Sequence, residues 1–218
     1  MKEIILSYFF NYIFTILLAL IYTKANIGTI DDYVAGPAIY VVTIYSISVS
    51  LFLYFKNKII EQKICVKDCL GAISLGISIA IIFNMSLWLF SDASLHSTNL
   101  SFFPMLLISS GIVGPIFEEI LFRYVFFNRL LRKYNFFYAT FINSCIFAFI
   151  HFSVIKSFYA FILGTLLCLI YQKKNNIIIP ILVHIAANSI ILFLNGFSFP
   201  IFCISIIILF IYTYIIFF

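Results

Sequence analysis

Charge is what this sequence of 218 residues has least of: Asp, Glu, Lys and Arg together make up 10% of it. A soluble domain carries about 25% charged residues. That shortage, beside 64% hydrophobic residues and a mean hydropathy of +1.17, excludes a soluble globular enzyme, a disordered chain and a nucleic-acid binder. The net charge of +5 therefore does not point to nucleic acid. Cysteines are few and odd in number: Cys65, Cys69, Cys145, Cys168 and Cys203. An odd set argues against a disulfide scaffold, and three of the five sit inside apolar runs as small apolar residues. Cys65 and Cys69 flank a lysine-rich loop with no second ligand pair nearby, so no zinc site is expected there. The apolar run from Ile4 to Tyr22 lacks a small-residue cleavage site behind it and is too long for a secretory h-region. It reads as a first membrane helix that stays. There is no internal repeat, no second domain and no low-complexity linker, so 1–218 is expected to be a single integral membrane domain.

What the chain does have is apolar length. Hydrophobic runs lie at about 4–23, 37–55, 69–91, 102–127, 136–153, 157–172, 177–194 and 199–218. A membrane helix needs roughly 20 residues, so the expected fold is all-α, a polytopic bundle of about eight transmembrane helices. Two runs are shorter than a full span, which implies tilt or half-buried ends. The 28 Phe and 14 Tyr supply lipid-facing bulk and an interfacial belt. With the N-terminus inside, the cytoplasmic segments hold Lys2, Lys56, Lys58, Lys63, Lys67, Arg129, Arg132, Lys133, Lys173 and Lys174. The outer segments hold only Lys24 and Lys156. That asymmetry places both termini in the cytoplasm and supports an even number of helices.

The polar groups left inside the apolar runs are few. Of the acidic residues, only Glu118 and Glu119 fall inside one; Arg123 is the one basic residue well inside one, and His151 and His184 join them. A charged side chain at a helix centre costs roughly 2.5–3.5 kcal/mol on an insertion scale, so such residues mark a site or a buried pair. Glu119 and Arg123 are four apart, about 40° around a helix, and can form an ion pair. Glu118 and Arg123 are five apart, about 140° around, so Glu118 has no partner on its own helix. A carboxyl so placed is suited to accept and return a proton. His184 and Asn188 are four apart on one face, beside Ala186 and Ala187, which permit close helix approach. An imidazole and an amide pointing the same way offer two donors to a developing oxyanion. His151, on a third helix, is placed to help orient and activate a water beside a carboxylate.

Each element alone also fits a structural role. Glu119–Arg123 reads equally as a buried pair, His184 and Asn188 as interhelical hydrogen-bond glue, and His151 as an interfacial residue. Asn84, Asn143 and Ser144 read as packing groups, and His96 has no partners in its loop. Taken together, two carboxyls, two histidines, an arginine and an amide on three helices leave little to a merely structural account.

Glu118-Glu119-x-x-x-Arg123, Phe147-x-x-x-His151 and His184-x-x-x-Asn188, in that order and each on its own helix, resemble the three motifs of the CAAX protease and bacteriocin-processing family, also called the Abi family. The resemblance covers about residues 101–195; the rest of the chain matches only in being hydrophobic. It implies an intramembrane endopeptidase in which Glu118 activates water, His151 shares that water, and His184 and Asn188 hold the oxyanion. Glu119 and Arg123 are then the pair that holds the first motif. An older view of the family assigned zinc. Here H-E-x-x-H is absent, and the second histidine is paired at helical spacing with an amide, a poor zinc ligand and a good oxyanion donor. No metal and no cofactor is expected. A non-enzymatic membrane immunity protein is the rival class. A proton-coupled transporter would show a repeat and broken helices in both halves, and neither is present. Heavy use of Ile, Phe, Asn and Lys suggests a bacterial cell membrane. The expected partners are membrane lipid and a peptide or membrane-anchored protein, such as a bacteriocin precursor, rather than a prenylated protein.

Overall fold

A computed structural model describes residues 2–25, 37–57, 63–90, 103–151, 153–194 and 198–217. The described residues form eight helical rods and no strand. They are α1 (Lys2–Lys24), α2 (Pro37–Asn57), α3 (Val66–Phe90), α4 (103–131), α5 (Phe136–Phe149), α6 (Val154–Lys174), α7 (Ile178–Ile191) and α8 (Phe199–Phe217). Each rod coincides with one of the apolar runs, and the protein is a polytopic helical membrane protein as the sequence predicts. Among the described residues, α2, α3 and α6 are long and apolar enough to cross a membrane by length and composition. α5 and α7 have 14 residues each. At 1.5 Å per residue they rise only about 21 Å, short of the roughly 30 Å of a hydrocarbon core. Asp31, Asp32, Lys58, Glu61, Asp92 and His96 lie outside the described residues.

Local chemistry sets the helix ends. Asn135 caps α5, its Oδ1 accepting the Tyr138 N–H at 3.0 Å. α6 closes on Asn175 in the left-handed region, φ 43°, with Lys173 and Lys174 in its last turn where cations favour the helix dipole. Lys174 reaches Asp68 at 2.8 Å, tying the end of α6 to the start of α3.

α4 is irregular. It winds as a π-helix over Leu107–Val113 and again over Ile120–Phe127. The first wide stretch has a cause in Gly114-Pro115. The Gly114 N–H bonds Ser109 O, five residues back, and so misses Ser110. Pro115 has no N–H to offer Ser110 at the five-residue spacing, or Gly111 at the ordinary four-residue spacing. The Ser110 carbonyl therefore lacks a backbone donor at either spacing, and the Gly111 carbonyl loses its ordinary one.

α3 and α7 make the most extensive helix–helix contact. Gly76 sits at the crossing, where an added Cβ would run into the Val183 carbonyl and lie 3.0 Å from the Ala186 Cβ. The close approach expected beside Ala186 and Ala187 is thus met from the other side by a glycine. Leu75, Leu163, Leu167, Ile170 and Val183 fill the space where α3, α6 and α7 meet. A second apolar cluster joins Phe122 and Phe127 of α4 to Phe147 of α5.

Candidate active site

The carbonyls freed in α4 position the site. Asn188, on α7, donates its Nδ2 to Ser110 O at 3.2 Å, and Ser189 donates its Oγ to Gly111 O at 3.2 Å. Two consecutive side chains of α7 thus grip two consecutive carbonyls of α4. The second wide stretch is served in the same way. Asn143 Nδ2 donates to Phe122 O at 2.8 Å, and Asn128 Nδ2 to Tyr124 O at 2.9 Å. Asn143 is therefore a packing group, as expected, and so is Ser144, which accepts from Thr165 Oγ1 at 3.1 Å.

Glu119 and Arg123 form the expected ion pair, Nη1 to Oε1 at 2.9 Å, with both side chains fully buried. Arg123 is further fixed by Nη2 donating to Gly164 O at 3.3 Å and by stacking over the Phe147 ring at 4.3 Å. Gly164 packs closely here: a Cβ there would lie 3.1 Å from Phe147 and 3.3 Å from Arg123 Nη2, so both side chains would have to give by a few tenths of an ångström.

Glu119 does more than pair with Arg123. Its Oε1 also lies 2.8 Å from Nδ1 of His184. An oxygen that already accepts a guanidinium N–H is a carboxylate oxygen, so the ring nitrogen is the donor. This fixes His184 with Nδ1–H toward Glu119 and turns Nε2 toward Glu118, whose Oε2 is 3.7 Å away. That oxygen has no hydrogen bond among the described residues. Glu118, without a partner on its own helix, meets one across from α7. The sequence missed the Glu119–His184 contact because it joins residues 65 positions apart on different helices.

His151 differs from expectation in one respect: it lies just beyond α5, not within it. Its backbone N–H bonds Ala148 O at 3.1 Å, while its ring Nδ1–H donates to Phe147 O at 2.8 Å. The side chain takes the carbonyl that the next helical N–H would have used, and the helix stops. Since a carbonyl can only accept, the neutral His151 ring carries a lone pair on Nε2. Phe147 meets both imidazoles, its ring centre 5.1 Å from that of His151 and 5.8 Å from that of His184, with the ring planes close to perpendicular in each case.

Two cavities meet here. One, of about 350 Å³, is lined by Ala38 and Val42 of α2, Ser109, Ser110 and Glu118 of α4, and Asn188 of α7. The other, of about 280 Å³, is lined by Asn84, His151, Lys156, Tyr159 and again Ser110 and Asn188. Glu118 therefore opens into one and His151 into the other, with the Asn188–Ser110 bond on the wall of both. Asn84, expected to be a packing group, is a cavity wall. Among the described residues no group of three or more His, Cys, Asp and Glu side chains gathers in metal-binding geometry. Chemically, the arrangement offers a carboxylate facing a cavity, an imidazole lone pair facing the neighbouring one, and an imidazole and an amide between them.

Residues 99–190 match the model of a family described as type II CAAX prenyl endopeptidase, Rce1-like. A Bacillus subtilis (strain 168) protein, YdiL, described as a candidate membrane peptidase, is 35% identical over 92 residues. That stretch is 42% of this chain and 38% of the relative, so the match takes in well under half of either. No solved structure matches the chain. All six residues of the candidate site fall within the matched segment.

Proposed function

We propose, from the match of residues 99–190 to the model of type II CAAX prenyl endopeptidases, Rce1-like, that the protein is a membrane peptidase that hydrolyses a peptide bond with water activated by Glu118. Glu118 takes a proton from water, and the free Nε2 of His151 reaches that water from the neighbouring cavity once a substrate carbonyl has opened the Asn188–Ser110 bond between the two. The oxygen attacks the scissile carbonyl carbon. His184 and Asn188 hold the oxyanion, and Glu118 returns the proton to the departing amine as the C–N bond breaks. Glu119 and Arg123 position this set. No cofactor is needed for any step.

Donor accounting adds a condition. His184 gives Nδ1–H to Glu119, so it serves an oxyanion only when Nε2 carries a proton too. Asn188 needs no such change: a substrate carbonyl has only to displace the Ser110 carbonyl from its amide.

The observation that carries the proposal is the approach of Glu118 to His184, 3.7 Å apart on two different helices, at a cavity that Asn188 also lines. A purely structural ion pair would need neither the second carboxylate nor the cavity. The protein acts in a bacterial cell membrane with both termini in the cytoplasm. Its substrate is a peptide or membrane-anchored protein, and its biological role lies in peptide or bacteriocin maturation or in self-immunity. The test is a comparison of cleaved peptides in membranes carrying wild type or Glu118→Gln. Cleavage products are expected to vanish in the variant while the protein inserts at normal level; an unchanged set would overturn the assignment.

A further inference from the structure

The two cavities and the basic residues lie at opposite ends of the bundle. The cavity that holds Glu118 is walled by Ala38 and Val42, at the start of α2, and by Ser109 and Ser110, in the first third of α4. The cavity that holds His151 is walled by Lys156 and Tyr159, in the opening turns of α6, and by Leu192, just past the end of α7. Shared walls at Ser110 and Asn188 bring all these helix ends together on one side.

The other side is fixed independently. There the end of α6 meets the start of α3 through Lys174–Asp68 at 2.8 Å, and the end of α4 meets α6 through Asn128 Nδ2 donating to Tyr171 Oη at 2.7 Å. Lys56, Lys67, Arg129, Arg132, Lys133 and Lys173 all sit at this end in sequence. At the cavity end the only basic residues in sequence are Lys24 and Lys156. Basic ends stay in the cytoplasm.

We infer that the active-site cavities open toward the extracytoplasmic face of the membrane, and that the substrate class is a peptide segment presented from that face, such as an exported precursor or the outer flank of a membrane-anchored chain. The inference rests on the proposed peptidase activity for the word substrate, but not for the sidedness. It separates this protein from an enzyme that trims chains from the cytoplasm. A polypeptide in the cytoplasm would have to cross the basic end and the packed core around Leu163, Leu167 and Phe122 to reach Glu118.

Sidedness is read with single-cysteine variants in which the native cysteines are replaced and a membrane-impermeant maleimide is added to intact cells. Lys156→Cys is expected to be labelled from outside, and a chain keeping Cys65 alone, in the loop between α2 and α3, only after permeabilisation. Leu192→Cys serves as a second cavity probe should Lys156→Cys fold poorly. Labelling of both cavity probes only after permeabilisation, or not at all, would overturn the inference. The cleavage sites that disappear in Glu118→Gln membranes are then mapped. They are expected in extracytoplasmic segments, and sites confined to cytoplasmic segments would overturn the substrate class. Outside labelling with no Glu118-dependent cleavage would uphold the sidedness while removing the peptidase reading, so the two failures are distinct.

Discussion

Phe147 touches three members of the site at once: Arg123 over its face, and His151 and His184 with their rings nearly perpendicular to its own. An aromatic ring carries negative charge on its face and positive charge on its rim, so it suits a cation above it. Below the guanidinium, Glu119 accepts from both Arg123 and His184. Removing one member of a fully buried ion pair costs about 3–5 kcal/mol because the other is left uncompensated. Arg123→Ala is therefore expected to lower the amount of folded protein sharply, as measured by detergent-extracted yield and unfolding temperature. The protonation of His184 can be seen directly, since the chain has only three histidines. Nitrogen NMR of histidine-labelled protein, with His184→Gln to assign the signal, reads whether Nε2 carries the proton that an oxyanion donor needs. A neutral His184 in the wild type would remove it as an oxyanion donor.

At the scale of elements, the wide stretches of α4 decide where the donors of α7 go. The grip of Ser189 on Gly111 is tight: a Cβ on Gly111 would lie 2.9 Å from Ser189 Oγ. Gly111→Ala is expected to destabilise the protein, and Ser189→Ala to relieve part of that loss when the two are combined. A double-mutant cycle on thermal unfolding should return a coupling of about 1 kcal/mol, and strict additivity would mean that the two helices do not meet there. The eight rods were legible because apolar runs and their breakers are local in the sequence. The pairing of Glu119 with Arg123 was legible for the same reason, since four-residue spacing fixes it. The π-helical winding was not legible. Gly114-Pro115 signals a missing donor, but only Asn188 and Ser189, on another helix, make the widened backbone affordable. The end of α5 before His151 was hidden too, because a side chain of that same residue competes for the carbonyl.

On the scale of the whole molecule, the site depends on helices beyond the segment that relatives share. α3 precedes that segment, yet it makes the largest contact with α7, which carries His184 and Asn188. At Gly76 the two helices approach too closely for an added Cβ. Gly76→Leu is expected to push α7 away from α3, lowering the unfolding temperature and Glu118-dependent cleavage together. A loss of neither would mean that α3 is not the platform on which α7 rests.

The bond between Asn188 and Ser110 has a consequence for what kind of molecule the protein accepts. A guest that claims the amide takes the donor from the Ser110 oxygen, and one such hydrogen bond is worth about 0.5–1.5 kcal/mol. An extended polypeptide brings its own remedy, because each C=O that it offers to Asn188 has a neighbouring N–H to return to Ser110. A depsipeptide, with an ester in place of that neighbouring amide, has no such hydrogen to give and is expected to bind up to about tenfold more weakly at the same side-chain sequence.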